Sequence, residues 1–246
     1  MCGRFAKYAS SAERAAMRAE DWRSIREEWR PKPGRERADA DGRLSRDRFN
    51  IGPAQPIETI RHNPETDELL VDPLQWGIVP RWTKDLKQAR KPINARSETV
   101  RTSGMFKDCF ARRRCLVPMD AYYEWSGEKP PKQPWAIGRR DGHEFLVGAI
   151  WDGWKTPDGA ILRTIALITT EPNESLARIH DRMPVIVQHD DVETWIGGDA
   201  DAAAGLMVSA PDFYLRAWAV GRGVGDVRND GPELLAPINL PAGPDE

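Results

Sequence analysis

The sequence predicts a mixed α+β domain, rich in strand and flanked by helices, on three observations. Phe145 to Trp151 and Ile161 to Thr169 are apolar and β-rich, and the turn signal Thr156-Pro157-Asp158-Gly159 between them makes them central strands. Ser10 to Trp29 carries Ala15, Ala19, Trp22, Ile25 and Trp29 at spacings of four, three, three and four, the apolar stripe of a helix. No repeat, low-complexity block or convincing linker divides the chain, which sets a single domain over residues 1–236 and a Pro- and Gly-rich tail over 237–246.

Taken in order, Ser10 and Glu13 form a capping-box pattern at the start of the first helix, and Pro31 and Pro33 stop it. Gly34 to Arg48 is a polar, charged loop. Phe49 to Pro56 reads as a short strand running into a Pro-constrained turn, stiff enough to hold a ligand without ordering on binding. Leu69 to Leu74 and Trp76 to Val79 suggest strands. Asn173 caps a short helix through Ile179 with Glu174 in its first turn, and Pro184 prevents continuation. Asp190 and Glu193 repeat the capping pattern before Trp195. Ala200 to Val208 reads as a helix and Phe213 to Val220 as a strand.

Composition narrows the function classes. The chain has 246 residues, 40% hydrophobic and 30% charged, enough for a substantial core and ordinary for a globular protein. No apolar run reaches membrane-spanning length, and no secretory pattern opens the chain, so the expected location is cytoplasmic. The three cysteines, Cys2, Cys109 and Cys115, match no zinc or redox spacing, and Cys115 in Cys115-Leu116-Val117 reads as a core thiol. The four histidines are too scattered for a metal cluster. A net charge of -2 argues against indiscriminate coating of nucleic acid. Residues 76–116 nonetheless hold 11 Lys or Arg against 3 Asp or Glu, a basic segment suited to a confined anionic ligand or simply a solvated face.

The most reactive stretch is Met1-Cys2-Gly3-Arg4. Cys is small enough for the initiator to be removed, and the chain would then begin with an amine and a thiol on adjacent carbons. Such a 1,2-aminothiol captures aldehydes: the amine forms a Schiff base and the thiol closes a thiazolidine ring. Pro80-Arg81-Trp82 puts an aromatic ring among cations, as single-strand binding requires, although Trp beside Arg is also an ordinary packing pair. In Pro92 to Thr99, Asn94 can donate and accept, Arg96 offers a fork for phosphate, and Glu98 is placed to orient Arg96. Glu124, between aromatics in Tyr122-Tyr123-Glu124-Trp125, is either a desolvated general acid or a strand-end carboxylate facing water. His180, before Asp181 and Arg182, is either an acid–base group or structural.

Together these stretches resemble the SOS response-associated peptidase-like (SRAP) family. The matching pieces are Met1 to Phe5, Asn50 to Pro53, Trp76 to Trp82, Asn94 to Thr99, Tyr123 to Trp125 and His180 to Pro184, in family order across most of the chain. The resemblance implies a β-rich α+β domain with a positively charged groove for single-stranded DNA, and covalent capture of abasic sites in that DNA. Cys2 matches the nucleophile, and Asn94, Glu124 and His180 the residues around it. Arg4, Asn50, Pro53, Trp76, Trp82, Arg96 and Arg182 match the DNA-binding positions. The family name refers to a peptidase activity, read here as self-removal of Met1, with lyase-like chemistry in reserve. The implied partner is single-stranded DNA containing abasic sites. No cofactor, metal or membrane is implied, and the expected state is a monomer, nucleoid-associated on damaged DNA.

Two other readings share these residues. A non-covalent single-strand-binding module would leave Cys2 incidental. A glutamine amidotransferase with an N-terminal cysteine would also begin Met-Cys-Gly, but it needs an Asn-Gly oxyanion element and this chain has no Asn-Gly pair.

Overall fold

The computed structural model describes residues 2–8, 32–33, 47–63 and 66–240. The helix expected over Ser10 to Trp29, the proline at 31 and most of the loop from Gly34 lie outside the described residues. The strands in chain order are β1 (Phe5–Lys7), β2 (Lys32–Pro33), β3 (Arg48–Ile51), β4 (Pro56–Asn63), β5 (Glu68–Trp76), β6 (Asn94–Arg96), β7 (Arg114–Met119), β8 (Ala121–Ser126), β9 (Gln133–Arg139), β10 (Phe145–Lys155), β11 (Ile161–Thr170), β12 (Met183–Pro184), β13 (Ile186–Val187) and β14 (Leu215–Ala219). Short helices α1 (Ser97–Val100), α2 (Lys107–Arg112), α3 (Glu174–Ala177), α4 (Val192–Gly197) and α5 (Ala200–Gly205) pack around them, giving the strand-rich α+β class that the sequence predicts.

Two sheets form. One runs β14-β9-β8-β1-β3, and its neighbours are antiparallel. In the other, β5, β4, β7, β10 and β11 pair in succession, and parallel bonding of β11 to β5, Thr164 opposite Gln75 and Ile165 opposite Trp76, closes the five into a ring. Closure removes the exposed edges that an open sheet would present. Every residue of β7 is buried, and after Asp120 the chain passes directly into β8, so one run feeds both sheets. The interior between them gathers Phe5, Trp76, Val117, Tyr122, Val147 and Leu167.

Glycines act at two points. Gly148 in β10 lies under Trp195 of α4, and a Cβ there would sit 2.7 Å from the ring. Trp195 fills that space and donates its indole N–H to the Cys115 carbonyl at 2.9 Å. Gly77 takes φ +123°, a left-handed conformation that ends β5 at Trp76. The strand expected over Trp76 to Val79 therefore stops at Trp76, with a bend at Gly77 and irregular chain over Ile78 and Val79. Gly77 N–H bonds the Ile165 carbonyl at 2.9 Å and Ile78 N–H the Pro92 carbonyl at 3.0 Å.

Asn173 caps α3 as expected, its Oδ1 accepting the Leu176 N–H at 3.1 Å, but the helix ends at Ala177 rather than Ile179. The helix expected from Ala200 to Val208 also ends early, at Gly205, with Asp199 as its cap. Asp190 does not cap α4; a 3-10 turn, His189–Asp191, leads into it. The coil set to begin at 237 stays attached to the sheet, since Pro237 bridges Val220 and Ile238 N–H bonds the Ala219 carbonyl at 2.9 Å.

A candidate active site at the start of the first strand

β1 is short, and its pairing with β8 decides what lies beside the chain start. Phe5 is opposite Tyr122 and Ala6 opposite Ala121, and Tyr123 N–H reaches the Arg4 carbonyl at 3.0 Å. Continuing that register brings Glu124 alongside the residues just before Phe5. From the other side β6 adds in parallel to β11, with Asn94 opposite Leu167. Asn94 Nδ2–H donates to the Cys2 carbonyl at 2.9 Å. His180 follows α3, and its Nε2 lies 3.6 Å from Glu124 Oε2. Four residues from four segments thus meet at one place.

Burial sets their chemistry. Cys2 is 1% exposed; burial, and then the nearby Glu124 charge, push its thiol well above the ordinary range. Glu124 is 3% exposed, and burial pushes its carboxyl up to about 7, against the pull of the chain's terminal amine. This is the direction expected of a carboxylate between aromatics. His180 is held below its ordinary value by burial and by the same amine, which favours a neutral imidazole. Asn94 Oδ1 is buried with no hydrogen-bond partner among the described residues.

Trp76 corrects the sequence reading. It is 1% exposed, with no face left for a base. Its ring meets Phe5 edge-on at 5.5 Å and its indole N–H donates to the Ile93 carbonyl at 2.9 Å, so it ties the Cys2 strand to the residue before Asn94. Asn50 is likewise internal. Its Nδ2–H group serves the carbonyls of Val224, Asp226 and Asn229 at 2.9–3.1 Å, and its Oδ1 accepts from Arg4 at 3.2 Å. It shapes the surroundings of half-buried Arg4 rather than facing solvent.

Arg182 is 8% exposed, and its fork is occupied by Glu98 and, at 2.6 Å, by the Thr169 carbonyl. A phosphate would have to displace that pair. Glu98 therefore grips Arg182, not Arg96, and the bond to Arg182 holds its carboxyl below the ordinary range. Arg96 is exposed, with no hydrogen-bonding or ion-pair partner for its side chain among the described residues. Nothing in the spacing of Glu98 and Arg182 joins them; β6 and β12, paired to the same strand, do. Tyr122 also escapes sequence reasoning, although its buried phenol lies near enough to Cys2 and Glu124 for both to raise its pKa further.

Pro53 is exposed, and Trp82 is 62% exposed on the loop between β5 and β6. The residues on either side of Trp82 are pinned. Asp152 accepts from Arg81 N–H at 2.9 Å and Arg81 Nε–H at 3.0 Å, and Trp154 donates to the Thr83 carbonyl at 2.7 Å. Lys84, Lys87, Arg90 and Lys91 follow, all exposed. The Arg112-Arg113-Arg114 run is only partly surface: Arg114 is buried against the carbonyls of Phe110, Trp195 and Gly198, and Arg113 faces Asp152 at 3.3 Å. Among the described residues no His, Cys, Asp and Glu cluster could hold a metal, and no helix is long and apolar enough to cross a membrane.

The fold and this site define a class that other proteins share. A solved structure from Bacteroides thetaiotaomicron matches with TM-score 0.73 and 22% identity, covering 97% of this chain and 100% of that one. The family model described as SOS response associated peptidase (SRAP) matches residues 1–227. The chain belongs to the SRAP family. Its relatives include abasic site processing protein YoqW of Bacillus subtilis, 35% identical over 76% of this chain and 84% of that protein. Abasic site processing protein YedK of Escherichia coli is 32% identical over 97% of this chain and 100% of its own. HMCES of Gallus gallus, of the same description, is 28% identical over 98% of this chain and 79% of its own.

Proposed function

We propose that the protein processes abasic sites by capturing them in single-stranded DNA as a covalent thiazolidine adduct of Cys2, after removal of Met1. The observation that carries this reading is the meeting of Cys2, Asn94, Glu124 and His180, with Asn94 bonded to the Cys2 carbonyl at 2.9 Å and Glu124 3.6 Å from His180. The names of the relatives support the abasic-site target. While Met1 is attached, the Cys2 nitrogen is a peptide amide; hydrolysis of that bond, which the family name suggests the protein performs on itself, exposes the amine.

The Cys2 amine adds to the aldehyde of the opened deoxyribose, and the carbinolamine oxygen leaves as water after protonation. The thiol then adds across the C=N bond, sulfur to carbon and proton to nitrogen, so one water is lost overall. Because burial holds the thiol protonated, sulfur becomes nucleophilic only as its proton is passed on, and the neighbouring carboxylate of Glu124 is the base placed to take it. Glu124, titrating near 7, supplies and recovers protons at neutral pH, and His180 assists sugar opening or ring closure. Asn94 Nδ2–H holds the Cys2 carbonyl while Oδ1 accepts from the freed amine. Arg4, Arg96 and the exposed cations of the 84–91 loop meet phosphates, with Trp82 and Pro53 bordering the strand. No cofactor is required, and the protein works as a monomer on cytoplasmic DNA.

The test mixes the protein with single-stranded DNA carrying one abasic site and runs a denaturing gel. A heat-stable adduct that vanishes in Cys2→Ala is expected. An undiminished adduct in Cys2→Ala excludes the aminothiol, and binding without any adduct favours the non-covalent module.

A further inference from the structure

His180 Nδ1 has two neighbours with opposite demands. The Arg182 backbone N–H donates to it at 3.0 Å, which requires a bare nitrogen. The Asp181 carboxylate lies 3.0 Å away and would favour a proton there. Only the first arrangement leaves the imidazole proton of a neutral His180 on Nε2, the nitrogen that faces Glu124 at 3.6 Å. The Asp181 side chain is 81% exposed, so solvent weakens its claim. The Arg182 side chain, by contrast, is fixed at both ends of its fork: Glu98 takes both terminal nitrogens and the Thr169 carbonyl takes one of them.

We propose that Glu98 is a positioning residue, which by gripping Arg182 holds the Arg182 peptide N–H on His180 Nδ1 and keeps the imidazole proton on Nε2, toward Glu124. The inference rests on the reading that His180 and Glu124 serve the Cys2 chemistry. Charged groups around the imidazole include Asp181 beside it in the chain, Glu124 of β8, Lys132 and, while Met1 is attached, the terminal amine. None of them fixes the proton on Nε2 as a peptide N–H on Nδ1 does. With Glu98 removed, Arg182 keeps the Thr169 carbonyl and the β12 pairing that follows it but loses both carboxylate bonds to its fork, its peptide N–H is held less closely on Nδ1, and Asp181 draws part of the proton there, away from Glu124.

Nitrogen-15 spectra of the imidazoles, with His180 assigned from a His180→Gln variant, test the hold directly. Wild-type protein is expected to show a protonated Nε2 and a bare Nδ1 at His180. In Glu98→Ala the two forms mix, and crosslinking to an abasic single strand slows in proportion to the share of His180 that has lost its Nε2 proton, about twofold for an even mixture. Glu98→Gln, which keeps an oxygen for Arg182, restores most of both. Unshifted signals from the other three histidines report an intact fold. An unchanged His180 pattern in Glu98→Ala overturns the proposal, and so does a changed pattern with an unchanged rate. A wild-type protein that forms no crosslink instead sinks the aminothiol reading, while the nitrogen pattern still reports on the hold.

Discussion

A carboxylate 3% exposed between Tyr123 and Trp125 keeps its proton to about pH 7, because ionising there forfeits water without a full replacement. The consequence for stability has a definite sign. Between the ordinary 4.5 and about 7, the folded chain binds more of Glu124's proton than the unfolded chain does. Stability from this group is therefore full below about 4.5, declines as pH rises, and levels above about 7. Melting temperatures of the wild type should fall across that window relative to Glu124→Gln, which has no proton to lose. A constant difference across the window would mean that Glu124 ionises normally. Glu124→Gln should also slow crosslinking far more than it weakens binding to undamaged strands. The flanking aromatics left burial and a water-facing strand end equally open for Glu124, and the packing of β8 decides for burial. Trp76 and Asn50 were misplaced as DNA contacts because a motif residue's type does not say whether it faces the ligand or supports a neighbour that does.

At the scale of elements, rigidity comes from contacts between segments far apart in sequence. Trp82 projects from a loop held on one side by Asp152 and on the other by Trp154, both from β10. An exposed ring on a fixed loop gives up little freedom when a base stacks on it. Asp152→Asn keeps the volume but loses the charge facing Arg81 and Arg113, and it should weaken single-strand binding several-fold. Fluorescence anisotropy of a labelled undamaged strand measures this, and unaltered affinity would leave the loop without need of its anchor. A second dependence joins α4 to the ring through Gly148. Its alanine variant forces the Trp195 ring to move and should cost about 1–3 kcal/mol, read as a lower melting temperature. An unchanged melting temperature would show that the ring yields freely. The long strands β10 and β11 were readable from β-branched runs and a turn signal. The end of β5 at Gly77 was not, because the apolar side chains of Ile78 and Val79 look like strand while one positive φ ends it.

For the whole molecule, the closed ring is the feature that no local pattern announces. Bonding of β11 to β5 joins residues some ninety positions apart, and hydrophobic periodicity says which residues are buried, not which strand lies beside which. Charge behaves similarly. The basic segment was visible in the sequence, yet Arg114 serves backbone carbonyls in the interior while Arg96 and the 84–91 cations remain on the surface. The motifs named Cys2, Asn94, Glu124 and His180 one by one, and the fold brings those four together while Trp76 and Asn50 lie inside. The proposed capture rests on the amine of Cys2 as much as on its sulfur, and intact mass measures both at once. The protein incubated with an abasic single strand should yield one species whose mass is that of the chain lacking Met1 plus the DNA less one water, resistant to borohydride because the ring leaves no imine. A species that retains Met1, or one that gains two hydrogens on borohydride treatment, would contradict capture by the closed aminothiol.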